Sequence, residues 1–192
     1  MEVSAFFSSL ISISKGTSGR AELLIKTRNL AQANLERGYI NDMSEQLAFF
    51  DKHTTEFLDA LALIPDIKRK IAPEGEWSAA FVVHHTADVE VHFAARYLLV
   101  LGADNPPLIF FDENLYPERL DYAGRTVSKS LAAIVGIRSM MSETLGKLTS
   151  ADWDRTIAHG DGKTATLRRL VEKADTHIVS HTEQLRSLAS LI

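Results

Sequence analysis

Residues 166–188 read TLRRLVEKADTHIVSHTEQLRSL, and the fold turns on how that stretch winds. At about 100° per residue, with Ala174 set to zero, Leu167, Leu170, Val171, Ile178, Leu185 and Leu188 all fall within about 60° of it. The spacing predicts an amphipathic helix with one apolar stripe turned to a core. On the same scale His177 falls near −60° and His181 near −20°, both on that stripe. They stand four residues apart, so their imidazoles project from successive turns on one side. An imidazole buried without a partner is unfavourable. Neutral imidazole is the commonest metal ligand, and an i, i+4 pair can grip zinc or nickel. Two hydrogen-bonded histidines at a bundle rim would satisfy the same pattern.

Working back along the chain, residues 77–96 read WSAAFVVHHTADVEVHFAAR. Ser78 suits an N-cap, because its hydroxyl can accept from an early backbone N–H. The helix it starts runs to about Leu101 and Gly102 and is apolar nearly all round, as expected of one packed on several sides. His85, Asp88, His92 and Arg96 form a polar line along it at i, i+3, i+7 and i+11. His85 could meet His177 and His181 across a bundle. That would give three nitrogens and an open position, the arrangement of catalytic rather than structural zinc. Asp88 or His92 could be a fourth ligand or accept an imidazole N–H. His84 points about 100° away and is expected at a surface or interface. His53 and His159 are expected to be incidental.

Two more helices complete the pattern. One is expected from Met43 to Ile64, stopping at Pro65, with Leu47, Phe50, Thr54, Phe57, Leu58, Leu61 and Ile64 on one face. The other is expected over Thr126–Leu148, carrying Leu131, Ile134, Ile137, Arg138, Met141 and Leu145. Residues 102–124 hold three of the five prolines and no helical period. Such a long connection is often functional, and Tyr116, Asp121 and Tyr122 within it could lid the mouth of a bundle site. Asp112 and Glu113 read as solvated loop acids. Residues 149–153 suit a short capped turn, and His159 to Gly162 a tight turn that could close a small hairpin. A long crossover lets the second and third long helices run parallel, unlike a simple up-down-up-down bundle. Residues 1–20 are rich in Ser and Gly, and 21–40 look helical. Residues 1–42 therefore read as a partly helical extension and 43–192 as the bundle domain, with Met43 an alternative start.

Composition narrows the function. The 192 residues carry 21 Lys plus Arg against 25 Asp plus Glu, a formal charge of −4, which argues against a nucleic-acid platform. Cysteine is absent, so disulfides, Cys-type zinc fingers, iron–sulfur clusters and thiol nucleophiles are excluded. His, Asp and Glu are left as the strong metal ligands. No run approaches the roughly 18 apolar residues of a spanning helix, and Glu2 stands where a signal peptide wants basic residues. A soluble cytoplasmic protein is the expectation. Several motifs fail: Ile178 occupies the Glu position of H-E-x-x-H, and Ile157 the first Gly of a phosphate loop ending in Gly162-Lys163-Thr164. There is no G-x-S-x-G elbow.

Together, W-S followed by H-x-x-D and a later Arg in residues 77–96, and HIVSH at 177–181, resemble the DinB/YfiT-like superfamily. The proline- and aromatic-bearing segment from Arg96 to Asp121 resembles its YfiT-like branch. The likeness covers roughly 43–192. It implies an all-α four-helix bundle, up-down-down-up, often a homodimer, here with an N-terminal helical extension. It also implies a divalent metal, zinc or nickel, held by His85, His177 and His181, with Asp88 supporting the site rather than ligating. Members include thiol-dependent S-transferases and metal-dependent hydrolases. The expectation is a metal-dependent enzyme, foremost a thiol-dependent S-transferase or related detoxification enzyme acting on a small molecule with a low-molecular-weight thiol. The chain has no cysteine, so that thiol would arrive with the cosubstrate. A hydrolase of a small substrate, or a non-catalytic metal-binding dimerisation module, is the alternative. A solvent-accessible pocket beside the histidines would favour an enzyme.

Overall fold

A computed structural model describes residues 47–192. The expected extension over 1–42, with its helix at 21–40, and the first residues of the Met43–Ile64 helix lie outside the described residues. Four long helices carry the architecture: α1 (47–62), α2 (Ala79–Gly102), α3 (Val127–Leu145) and α4 (Leu167–Leu191). Three of them begin or end for a local reason. Pro65 follows α1. The Ser78 side chain accepts from Phe81 N at the start of α2, and the Thr166 side chain from Arg169 N at the start of α4. Thr149 and Asp152 close a reciprocal capping box on the single turn Ser150–Trp153. The turn around His159–Gly162 closes a two-stranded antiparallel hairpin, β1 (Thr156–Ala158) with β2 (Thr164–Thr166), Ile157 facing Ala165. Gly162 takes φ +81°, which suits the residue without a Cβ.

Hydrogen bonds fix the topology. Arg138 of α3 reaches Glu90 of α2, Phe50 and Thr54 of α1, and Asp175 of α4, so these residues share one level. Nearer the other end, His84 bonds to Ser130, so α2 and α3 run parallel. Arg155, just ahead of α4, donates to Val100 O and Ala103 O at the end of α2, so α2 and α4 run antiparallel. Lys68, beyond α1, meets Ile192, so α1 and α4 run together. The order is up-down-down-up, as expected, and residues 103–126 make the long crossover. They are not wholly irregular: helical turns form at Glu113–Leu115 and Tyr116–Arg119. Pro117 sits in the first turn of the second, at N2, where no intrahelical backbone donor is needed.

The core joins Phe57 and Leu61 of α1 and Ile64 just beyond it with Val82 and Val83 of α2, Ile134 of α3 and Ile178 and Leu185 of α4. Full burial of such side chains is worth roughly 1.5–3 kcal/mol each. His84 corrects an expectation. It is fully buried, with Nδ1 2.8 Å from Ser130 Oγ and its ring against Tyr122. A face 100° from His85 reaches solvent only on a helix with a free side, and here α3 covers it. Among the described residues no helix is long and apolar enough to cross a membrane.

Candidate metal centre

The antiparallel seam between α2 and α4 brings His85, His177 and His181 together, one ligand atom of each within 4.8 Å of the others. Nε2 of His177 lies 3.1 Å from Nε2 of His85 and 3.1 Å from Nε2 of His181. Nδ1 of His181 is 2.8 Å from Gln184 Oε1. An amide oxygen only accepts, so that Nδ1 carries the proton and Nε2 keeps its lone pair. One ring nitrogen offers either one N–H or one lone pair, so His177 Nε2 cannot satisfy two neighbours as ordinary hydrogen bonds. Three lone pairs turned on one point suit a cation. Nitrogens about 2.0–2.1 Å from zinc stand about 3.3 Å apart in a tetrahedron, close to the separations found here. The donor set therefore fits a divalent ion of the zinc or nickel kind.

Electrostatics prepare the set. Burial, then the neighbouring His181, push His85 down to about 4. Burial, then His181 and His85, push His177 down to about 3. Burial also lowers His181, against Gln184 and Glu113, which raise it. Neutral imidazoles at pH 7 leave no proton for an ion to displace. Nδ1 of His177 is buried without a partner. Trp77, which the sequence reading did not single out as a site residue, stacks on His181 and meets His85 edge-on at ring centroids 6.1 and 5.2 Å. It covers one side of the cluster.

Other expected candidates have different partners. Asp88 accepts from Tyr122 Oη and Arg125 Nη1 through one oxygen, both at 2.7 Å, and so ties the crossover to α2. His92 bonds to Tyr116 Oη at 2.5 Å and stacks on Phe111 at 3.6 Å. Neither belongs to the three-nitrogen cluster. Tyr122 is buried against Phe81 rather than poised at a mouth. His53 and His159 stay outside the cluster, yet each is engaged: His53 bonds to Asp175, and His159 meets Phe110 edge-on. A cleft of about 690 Å³ opens beside His177, lined also by Glu113, Phe110 and Phe111 of the crossover.

Comparison with known proteins is consistent with this geometry. A family model for the DinB superfamily matches residues 26–185. A Geobacillus thermodenitrificans (strain NG80-2) protein bearing the name "Putative metal-dependent hydrolase" is 30% identical over 116 residues, 60% of this chain and 65% of its own length. The chain thus spans about 65% of the length of this relative and of a similarly named protein of Geobacillus kaustophilus (strain HTA426). Among solved structures, YfiT from Bacillus subtilis, described as a probable metal-dependent hydrolase with an unusual four-helix bundle topology, superposes with TM-score 0.66 at 22% identity. That match covers 76% of this chain and 86% of the other. A mycothiol-dependent maleylpyruvate isomerase matches at TM-score 0.61 and 13% identity, over 76% and 62%. At these identities the solved structures speak for the fold.

Proposed function

The chain belongs to the DinB superfamily, and from that premise we propose that it is a divalent-metal-dependent enzyme acting on a small molecule, with His85, His177 and His181 as the metal ligands. The observation that carries this reading is the convergence of three Nε2 atoms beside an open cleft. A structural site would use a fourth protein ligand; three ligands and an accessible side leave room for a reactant. A divalent ion held there would lower the pKa of a thiol or a water reaching it.

Thiol transfer is the leading chemistry. The chain has no cysteine, so the nucleophile enters with the cosubstrate, and the 690 Å³ cleft has room for a small conjugate. The bundle is shared with an isomerase named for its dependence on mycothiol. Trp77 shields one flank of the histidines from water, and Phe110 and Phe111 offer an apolar wall.

Hydrolysis is the second reading, favoured by one observation. The general base missing from α4 has a substitute in Glu113, which lines the same cleft and whose charge bears on His181. Its carboxylate could take a proton from water at that side.

The test is metal content of untagged protein purified without chelator. We expect about one zinc or nickel ion per chain, lost in His177→Ala/His181→Ala, by the three-ligand logic. No metal after reconstitution with both ions would end the metalloenzyme reading. On loaded protein, turnover that requires added thiol supports transfer. Thiol-independent turnover that falls about 100-fold or more in Glu113→Gln supports hydrolysis.

A further inference from the structure

Two polar stripes face each other across the α2–α4 seam. On α4, Arg169, Lys173, His177 and His181 follow at intervals of four, one ridge drifting from solvent towards the core. On α2, Arg96 ends the line that His85 begins. Because the helices are antiparallel, Arg96 lies at the Arg169 end. Arg96, Arg169, Lys173 and His177 all line the one cleft. At 1.5 Å rise per residue, Lys173 stands about 6 Å and Arg169 about 12 Å along the helix from His177.

These cations are incompletely neutralised. Lys173 makes no hydrogen bond or ion pair among the described residues. Among the described residues Arg169 has only the exposed ion-pair partner Glu172 at 3.0 Å, a contact worth little in water. Arg96 donates to Ile109 O and lies over the faces of Phe93 and Phe111, with no carboxylate bound among the described residues. Two acids, Asp112 and Glu113, line the same cleft. Asp112 accepts from the backbone and side chain of Asn114, and Glu113 acts on His181 at the histidine end. Three cations thus line the cleft against two acids, with aromatic walls beside them.

We propose that the substrate is a carboxylate-bearing small molecule, its acid group held by Lys173, Arg169 and Arg96 while its other end reaches the three histidines. The inference deepens the enzyme reading above and assigns the substrate class of the same cleft. The distance from Lys173 to His177 suits an acid separated from the reacting atom by a few bonds. The aromatic walls suit an apolar or ring-bearing body in between.

The experiment titrates 3-phenylpropionate and its uncharged isostere 3-phenylpropionamide into the full chain by calorimetry, in zinc-loaded and chelator-stripped protein. The cations are partly solvated, so we expect the carboxylate to bind about tenfold tighter than the amide, in both metal states, with the gap narrowing at high salt. Lys173→Gln/Arg169→Gln should abolish the preference, and Lys173→Arg should keep it. Equal affinities in the wild type would overturn the inference. So would a preference that appears only with zinc and survives in the double variant, because the carboxylate would then sit on the ion. The two readings fail separately. Zinc bound at one per chain without anion preference refutes only the substrate class, whereas anion preference without zinc binding refutes only the metalloenzyme.

Discussion

Three histidines hold the residue-scale argument. His177 and His85 are pushed down to about 3 and about 4 by burial first and by the neighbouring His181 second. Between pH 6.5 and 4 the unfolded chain binds protons that the native cluster refuses, so stability of the metal-free protein must fall as pH falls through that window. Denaturant midpoints at pH 7.5, 6.5 and 5.5 should decline in the stripped protein, and the decline should be shallower in His177→Gln. A flat profile would mean the rings are freely solvated. At this scale the sequence was informative, because the i, i+4 pair and the line from His85 need only helical arithmetic. Trp77 was not legible as a site residue. It precedes the helix, and nothing in periodicity says that a pre-helical ring folds back over His181.

At the scale of elements, α2 shows where helical arithmetic stops. It gives the angle of a side chain but not the neighbour waiting there. His84 was expected at a surface or interface and lies buried against Ser130. Asp88 and His92 share the face of His85, yet their partners, Tyr122, Arg125 and Tyr116, come from the crossover, whose path has no period to read. The same limit hid the strongest polar feature of the bundle. Arg138 occupies an apolar-stripe position on α3, with Glu90 and Asp175 at 2.9 and 3.0 Å and Phe50 beneath its guanidinium. Arg138 and Glu90 are each almost wholly buried. Removing the cation strands a buried carboxylate, so Arg138→Ala should cost about 3–5 kcal/mol in equilibrium unfolding. A loss below about 1 kcal/mol would show that water enters and solvates Glu90.

For the whole molecule, the four helices and their order followed from apolar stripes and from one connection too long for an antiparallel hairpin. The crossover's own turns did not, since single helical turns leave too short a pattern. A homodimer is the assembly the sequence resemblance implies, and light scattering of the full chain should return twice the chain mass; a monomer at micromolar concentration would remove it. The site carries a further consequence for the molecule as a whole. His85 and His177 are 92 residues apart in sequence, on the second and last long helices. A ligand gripping both closes a loop through α3, the crossover and the hairpin, in a chain with no cysteine to do so. A link across a loop of that length restricts the unfolded chain by the same logic as a disulfide, worth about 4–5 kcal/mol if it were permanent. The three imidazoles would then act as a reversible staple, and chelation should speed global unfolding and proteolysis as reduction does in a disulfide-bonded protein.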